Sequence, residues 1–422
     1  MTKPGILLAI LCFVALGTGT SHAQFGIENA AAAQNPGAAG AQKPAVRRKV
    51  RKPQKDAQPA AKQQQRMPGS FERIPYTEQE RAAAVVPGMP GVRLWADSYE
   101  AFAAAVPNSK GPWLILSSGG AAGAYGAGVL VGMSESGNRP EFSVVTGVSI
   151  GAVMAPYAFV GQKYDNDLRD SFLNLTAAEV FEDAQRADSL VDTWPLRDLL
   201  AKRITPELLA DIAAEHRKGR RLFVVTADMD AERPVLWDMG AIAAQGGDAA
   251  RKLFRDVLLA ASAIPGIFPP VYIDVEANGR KFQEMHMDGG VFGPFYAAPT
   301  PWLVDPTNRP LPASQMYVVI NGKLTPEFEV TSTEKVLILG RMITGAVKTG
   351  QLAEIALLTS AAKRAGIEAK LAVIDPAFYQ PAQTAFDQKQ MKTLFERGVE
   401  LGKSGNAFRT LGAAPAGQAQ SR

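Results

Sequence analysis

One serine in this sequence stands in a setting that favours nucleophilic chemistry. It is the centre of Gly147-Val148-Ser149-Ile150-Gly151, which follows a strand-like run beginning at Phe142 and precedes a helix predicted over 151–160. A serine on such a strand-to-helix turn exposes its hydroxyl, and the glycines make room for the tight backbone. The helix N-terminus also favours negative charge developing nearby. The pattern predicts a nucleophile, with an ordinary glycine-rich turn as the alternative.

A nucleophilic serine needs a group that takes its proton, and the sequence offers few. Of the three histidines, His22 lies in a predicted leader and His216 in a charged segment that we predict to be a solvated helix end. His286 is two residues from Asp288, so a triad that takes both from one strand is geometrically awkward. We therefore predict that Asp288 contacts Ser149 directly, since burial would raise its pKa and make it a better base. A turn-capping role is the alternative for Asp288.

A second glycine-rich turn, over 117–128, also passes from a predicted strand to a predicted helix. A phosphate-binding P-loop would end in Gly-Lys-Ser/Thr, and this turn does not. A dinucleotide site would need an acidic residue at the end of the next strand, where Thr146 stands. We predict instead an oxyanion hole built from backbone N–H groups at Gly119, Gly120 and Ala121, because the next strand carries the serine. A purely structural turn is the alternative.

Three motifs in this order resemble those of the patatin-like phospholipases, which are lipid acyl hydrolases with a Ser-Asp dyad. The motifs are Gly119-Gly120-Ala121-Ala122-Gly123, Gly147-Val148-Ser149-Ile150-Gly151 and Asp288-Gly289-Gly290, with a family-like stretch over 260–270 before the third. The resemblance covers roughly residues 111–320. It implies a lipid or ester substrate, Ser149 as nucleophile and Asp288 as base. The motif glycines that it implies are Gly123, Gly147, Gly151, Gly289 and Gly290.

Two positions depart from the family's first loop, which usually reads Gly-Gly-Gly-x-Arg/Lys-Gly. Ser118 replaces the first glycine and Ala122 replaces the basic residue. Ser118 brings a hydroxyl that can donate to an oxyanion, whereas Ala122 lacks a charge for a phospholipid head group. These departures keep a second hypothesis open, a patatin-fold lipid-binding or envelope-associated module with weak or no catalysis.

The elements that must position these residues alternate between strands and helices. Strands are predicted over 113–116, 142–145, 222–226, 317–320 and 371–374. Helices are predicted over 121–133, 151–160, 251–262 and 383–401, over 196–218 with an interruption near Pro206, and over 334–365 as one or two long helices. Together with 46% hydrophobic residues, this alternation indicates a globular α/β fold. With the resemblance, it predicts a patatin-like three-layer sandwich, a mostly parallel central sheet with helices on both faces. We expect a catalytic domain over 71–413 and a disordered tail over 414–422.

The first 23 residues are typical of a secretory signal peptide. Lys3 precedes an apolar run over 6–16 that is short for a membrane span, and Ser21 and Ala23 are the small residues of a cleavage site. We predict an exported chain, periplasmic or extracellular, with an uncleaved anchor as the alternative. Cleavage would remove His22 and the single cysteine, Cys12, and with them any cysteine-built or three-histidine metal site. We expect no metal and no organic cofactor.

A basic segment over 24–70 follows, and its Ala, Gln and Pro content predicts disorder. Its nine basic and two acidic side chains give it a charge of +7. Because the whole chain carries +4 and Lys3 adds one charge, residues 71–422 carry −4. The basic cluster over 43–66 suits peripheral contact with an anionic membrane, and a solvated linker is the alternative. Nucleic acid is not an expected partner of an exported chain.

Overall fold

The computed structural model describes residues 73–106, 111–184, 188–305, 310–331, 333–378, 382 and 384–412. The expected leader, the basic segment over 24–70 and the tail over 414–422 lie outside the described residues. The α-helices are α1 (Glu78–Ala83), α2 (Tyr99–Ala105), α3 (Gly123–Glu135), α4 (Ile150–Val160), α5 (Asp165–Leu173), α6 (Ala177–Val180), α7 (Trp194–Arg203), α8 (Pro206–Arg217), α9 (Met239–Gln245), α10 (Gly247–Ala261), α11 (Thr300–Val304), α12 (Lys335–Ala365) and α13 (Gln388–Ser404). The strands are β1 (Arg93–Trp95), β2 (Gly111–Leu116), β3 (Val144–Val148), β4 (Glu182–Asp183), β5 (Val191–Asp192), β6 (Arg221–Asp228), β7 (Arg233–Asp238), β8 (Val271–Ala277), β9 (Arg280–Asp288), β10 (Ala313–Ile320), β11 (Glu368–Val373) and β12 (Arg409–Thr410).

Ten of these strands form one central sheet. Its middle consists of five parallel strands in the spatial order β11, β10, β2, β3 and β6. Antiparallel strands extend it on both sides, with β12 beside β11, and β7 and then β1 beyond β6. The hairpin of β8 and β9 joins through an antiparallel pairing of β9 with β6. The predicted α/β fold, with a mostly parallel central sheet flanked by helices, is confirmed.

Alternate residues of the central strands pack into two different cores. In β2, Leu114 and Leu116 belong to one core, and Trp113 and Ile115 belong to the other. All four side chains are buried. Because side chains alternate between the faces of a strand, a strand that is covered on both faces must be apolar throughout. This explains the short apolar run that predicted β2.

The sheet order brings the two halves of the candidate site to one edge. Strands β2 and β3 run parallel and end together, so the glycine-rich turns that follow them are adjacent. Val148, the last residue of β3, pairs with Val225 of β6. The next residue of β6, Thr226, pairs with Asp288 of β9. Strand β7 pairs with the other side of β6, so β9 lies on the side that β3 occupies, beyond the end of β3. Asp288 is therefore close to Ser149, which follows β3 directly.

Several observed elements differ from the predicted ones. The strand predicted over 142–145 is Val144–Val148 and reaches the serine, and the last helix begins at Gln388 rather than at residue 383. Strands β7, β8 and β9 were not predicted, because their mixed polar and apolar residues give no buried run. The segment 334–365 is a single helix, α12, of 31 residues. None of the described helices is both long and apolar enough to cross a membrane.

Candidate active site

Ser149 occupies a strained backbone position at the start of α4. Its φ is 56° and its ψ is −125°, a combination that costs a non-glycine residue free energy. The glycines on either side permit the turn. A Cβ atom at Gly147 would lie 2.5 Å from the carbonyl oxygen of Gly151, and one at Gly151 would lie 2.4 Å from that of Leu116. The sequence places glycine where the nucleophile turn has no room for a side chain.

Asp288 is the last residue of β9 and also caps the short 3-10 turn over Gly289–Val291 that follows, so the turn-capping role is present as well. Its backbone N–H donates to the carbonyl of Ala263, and its carboxylate accepts from the N–H of Gly290 at 2.8 Å. The hydroxyl of Ser149 donates to the same carboxylate. Burial raises the pKa of Asp288 to about 6, although both hydrogen bonds oppose that rise. The aspartate is thus ionised at neutral pH and has more affinity for a proton than an exposed aspartate.

The first glycine-rich turn lies against the nucleophile helix. A Cβ atom at Gly123 would lie 2.6 Å from Cγ1 of Ile150, so the turn and α4 pack in close contact. Gly119 has a φ of 155°, and Gly120 one of 54°. Within the described residues, the backbone N–H groups of Gly119, Gly120 and Ala121 donate to no protein acceptor. They are available to a substrate oxygen, as an oxyanion hole requires.

Asn321 lies outside this turn but holds it in place. No motif in the sequence marks this residue. Asn321 directly follows β10. Its side-chain amide donates to the carbonyl of Ser117 at 2.9 Å, and its backbone N–H donates to the hydroxyl of Ser117, also at 2.9 Å. The carbonyl of Asn321 would lie 2.0 Å from a Cβ atom at Gly119. The only signal in the sequence was a polar residue directly after a buried strand. Asn321 positions the turn and does not reach into the reaction itself.

Ser118 and Ala122, the two departures from the family's loop, are both buried. The N–H of Ser118 donates to the carbonyl of Pro294 at 2.8 Å and is not available to an oxyanion. Its hydroxyl oxygen is buried without a hydrogen-bond partner among the described residues. The Ala122 side chain is fully buried, so this position presents nothing to a lipid head group.

Neither of the described histidines contacts the dyad. His286 is fully buried, and its ring nitrogens are 3.0 Å from the hydroxyl of Thr226 and 3.3 Å from a carboxylate oxygen of Glu284. The charged segment around His216 is the end of α8, as predicted, but the ring of His216 itself is not solvated. Its ring packs against Gly240, 3.5 Å from a carboxylate oxygen of Asp238, and burial lowers its pKa. The charged neighbours in the sequence point to solvent while the histidine itself faces α9.

Asp228, Glu284 and His286 place potential metal ligands within 4.8 Å of one another. The guanidinium of Arg93 already supplies the positive charge at this cluster, since it bonds both carboxylate oxygens of Glu284, one of them at 2.9 Å. Burial acts to raise the pKa of Glu284, but hydrogen bonds from His286 and Arg93 bring it down to about 2. We interpret the cluster as a buried ion-pair network that ties β1 to β9.

A cleft of about 910 Å³ opens beside the dyad. Ser149, Gly120 and Ala121 lie on its wall, so the nucleophile and the free N–H groups face the same space. Most of the remaining lining is apolar and includes Val153, Leu175, Val180, Leu196, Leu200 and Phe268. An ester with an apolar chain fits this arrangement, because the chain can be buried while its carbonyl lies at the serine.

Comparison with known proteins agrees with the motifs. Residues 114–299 match the family described as patatin-like phospholipase, a stretch that contains both glycine-rich turns, Ser149 and Asp288. No curated protein matches the chain significantly. Among solved structures, VipD from Legionella pneumophila is similar at 12% identity and a TM-score of 0.38, with 72% of this chain and 68% of that chain covered. The family match supports lipid acyl hydrolase activity. The resemblance found in the sequence is confirmed by this match, since residues 114–299 of this chain are similar to the patatin-like phospholipases.

Proposed function

We propose that this protein is an exported lipid acyl hydrolase of the carboxylic ester class, with Ser149 and Asp288 as its catalytic dyad. One observation carries the proposal. The hydroxyl of Ser149 donates to a buried Asp288 whose pKa is raised to about 6, and both lie beside unused backbone N–H groups at an apolar cleft. This arrangement supports the presence of a nucleophile, a base, oxyanion donors and a site for an acyl chain in one place.

In the first half of the reaction, Oγ of Ser149 attacks the ester carbonyl and Asp288 takes its proton. The negative charge that forms on the carbonyl oxygen is stabilised by the N–H groups of Gly119, Gly120 and Ala121, which are fixed before the substrate arrives. The N-terminus of α4 adds a favourable dipole. Asp288 then gives its proton to the leaving alcohol, and an acyl group remains on Ser149.

In the second half, water replaces the alcohol. Asp288 takes a proton from that water as it attacks the acyl-enzyme, and the same N–H groups stabilise the second oxyanion. Collapse of this intermediate returns the proton to Ser149 and releases the fatty acid. Every step uses residues of this chain.

The second candidate function is a lipid-binding or envelope-associated module. One observation favours it, the fully buried alanine at position 122, where the family usually has a basic residue. In that case the cleft would hold a lipid without cleaving it. The two candidates differ in whether Ser149 reacts, and that can be measured directly.

The test is labelling with a fluorophosphonate probe, followed by hydrolysis of a p-nitrophenyl ester. We expect wild-type protein to be labelled, and Ser149→Ala to be neither labelled nor active. Asp288→Asn should lose on the order of 10³-fold or more in kcat, because nucleophile and base act as a unit. His216→Ala is the matched control and should retain activity, since His216 lies on α8 away from the dyad.

Two outcomes would contradict this function. A folded wild-type protein that binds lipid but is neither labelled nor active would support the binding module. Full activity in Asp288→Asn combined with its loss in His216→Ala or His286→Ala would reject the dyad.

Export and membrane contact are also part of our proposal. The leader-like residues 1–23 support export, and the basic cluster over 43–66 supports peripheral binding to anionic lipid. Such contact would hold the enzyme near its substrate.

A further inference from the structure

The apolar cleft extends along the nucleophile helix away from Ser149. Ile150, Val153 and Tyr157 line it, and their spacing places them on one face of α4. Tyr157 is eight residues beyond Ser149, which corresponds to about 12 Å along the axis of an α-helix. The opposite wall includes Leu196, Leu200 and Arg203 of α7, again at spacings that share one helix face.

Three polar side chains meet in this otherwise apolar lining. The guanidinium of Arg203 donates to the hydroxyl of Ser171, and Ser171 is also hydrogen-bonded to Tyr157. Ser171 and Tyr157 are 6% and 3% exposed, so they are held in place by the surrounding packing. Arg203 makes one further bond, to the carbonyl of Asp170 at 3.2 Å. We call Tyr157, Ser171 and Arg203 the polar end of the cleft.

The charge of Arg203 is not neutralised by the protein. Within the described residues no carboxylate forms an ion pair with it, whereas buried arginines elsewhere have such partners, as Arg139 has Asp165 and Arg220 has Glu215. Arg203 is half-buried, so part of its side chain remains open to water or to a negatively charged ligand in the cleft. The planar guanidinium is suited to carboxylate and phosphate oxygens.

We propose that the polar end of the cleft recognises an anionic oxygen group at the far end of the substrate's acyl chain. This inference rests on the proposed hydrolase function and adds a substrate class to it, esters of medium-chain acids that end in a carboxylate. The apolar lining between Ser149 and Tyr157 suits an acyl chain with a carboxylate at its far end. It does not suit a head-group phosphate, because that phosphate is only a few bonds from the ester. Arg203 is then a specificity-determining residue. Ser171 holds its guanidinium through a hydrogen bond, and Tyr157 adds a further polar group beside Ser171.

The experiment compares two esters that differ only at the end of the acyl chain, p-nitrophenyl octanoate and the mono-p-nitrophenyl ester of octanedioic acid. The readout is the ratio of kcat/KM for the acid-ended ester to that for the neutral ester, at pH 8. We expect wild-type protein to prefer the acid-ended ester. Arg203→Met should lower the ratio by about tenfold or more, the usual effect of losing a charged hydrogen bond. Arg203→Lys should restore part of the ratio, because lysine keeps the positive charge but lacks the planar guanidinium.

Lys202→Met is the matched control, because Lys202 is the exposed neighbour of Arg203 on α7 and does not line the cleft. It should leave the ratio unchanged. Tyr157→Phe provides a second variant that keeps the Arg203 bonds to α5, in case Arg203→Met fails to fold, and it should also lower the ratio. A third pair, short-chain phosphatidic acid and the matching diacylglycerol, tests the head-group source.

An unchanged ratio in folded Arg203→Met and in Tyr157→Phe would overturn the inference. So would a ratio that falls for the phosphatidic acid pair alone, which would assign Arg203 to head-group phosphate. Failure of the underlying function gives a different result, because wild-type protein would then hydrolyse neither ester and would not be labelled at Ser149.

Discussion

At the scale of single residues, catalysis and stability make opposite demands on Asp288. Burial raises its pKa from 3.8 to about 6, which means that the folded protein holds the ionised form at a cost. Two units of pKa correspond to about 3 kcal/mol. With respect to this group, the free energy of unfolding is greatest at low pH, where the carboxyl is protonated in both the folded and the unfolded state. It declines as the pH rises from the unfolded-state pKa through the folded-state value.

Replacement of Asp288 by asparagine should therefore stabilise the fold while it abolishes activity. We expect Asp288→Asn to unfold at a higher temperature than wild type at pH 8, with a free-energy gain of up to about 3 kcal/mol. The advantage should shrink as the pH falls from 6 to 4, because the wild-type aspartate becomes neutral. Thermal unfolding across this pH range measures it. Equal melting temperatures at pH 8 would show that the ionised carboxylate carries no burial penalty.

At the scale of elements, the long helix α12 supports the segment that follows the dyad aspartate. Glu354 of α12 accepts a hydrogen bond from the backbone of Phe295, and its carboxyl would collide with any Cβ atom at Gly293. Its other oxygen is buried without a partner among the described residues. Burial raises the pKa of Glu354 to about 8. The carbonyl of Pro294, in the same segment, accepts a hydrogen bond from the N–H of Ser118. Through this segment α12 also supports the oxyanion turn.

Because this pKa is raised, Glu354 stabilises the fold only while it is protonated. Stability should decline as the pH rises from about 4.5 to about 8, and Glu354→Gln should remove this part of the decline. We expect the variant to be more stable than wild type at pH 8.5, by up to about 5 kcal/mol. Denaturant unfolding at pH 5 and pH 8.5 provides the measurement. Glu396→Gln, at an exposed site on α13, is the control, and an identical pH dependence in both variants would contradict the prediction.

At the scale of the whole molecule, charge is divided between two parts of the chain. The segment over 24–70 carries +7 and the remainder beyond it carries −4. The folded part also exposes large apolar side chains, among them Phe328 (95%), Val330 (76%) and Met342 (62%). Attraction through the basic segment and insertion of apolar side chains differ in their response to salt. Screening shortens the reach of charge from about 10 Å at 0.1 M to about 3 Å at 1 M.

We expect the mature protein to bind anionic vesicles at low salt, to lose most of that binding at 1 M salt, and to lose it also on deletion of residues 24–70. Each basic residue close to the surface contributes about 1 kcal/mol. Hydrolysis of a soluble ester should survive the deletion, because every proposed catalytic residue lies beyond it. Co-sedimentation of both proteins with vesicles makes the comparison. Equal binding by both proteins that does not change with salt would assign membrane contact to the exposed apolar side chains.

The sequence by itself determined the local features of this protein. The turn around Ser149 is visible because its requirements are met within five residues, with Gly147 and Gly151 placed where a Cβ atom would clash. The strand β2 is visible because burial on both faces demands an unbroken apolar run. The family could be recognised for the same reason, since its motifs are short turns whose backbone geometry restricts the residue types.

Only the tertiary structure decided which distant residues meet. Asp288 reaches Ser149 because β9 pairs with β6, and β9 gave no clear strand signal because its buried face carries the polar residues Glu284, His286 and Asp288. Asn321 and Arg203 carry no motif, and their roles follow from the neighbours that the sheet order and the packing of α7 on α5 give them. Local patterns restrict backbone conformation, whereas contacts between distant segments depend on the packing of the whole fold.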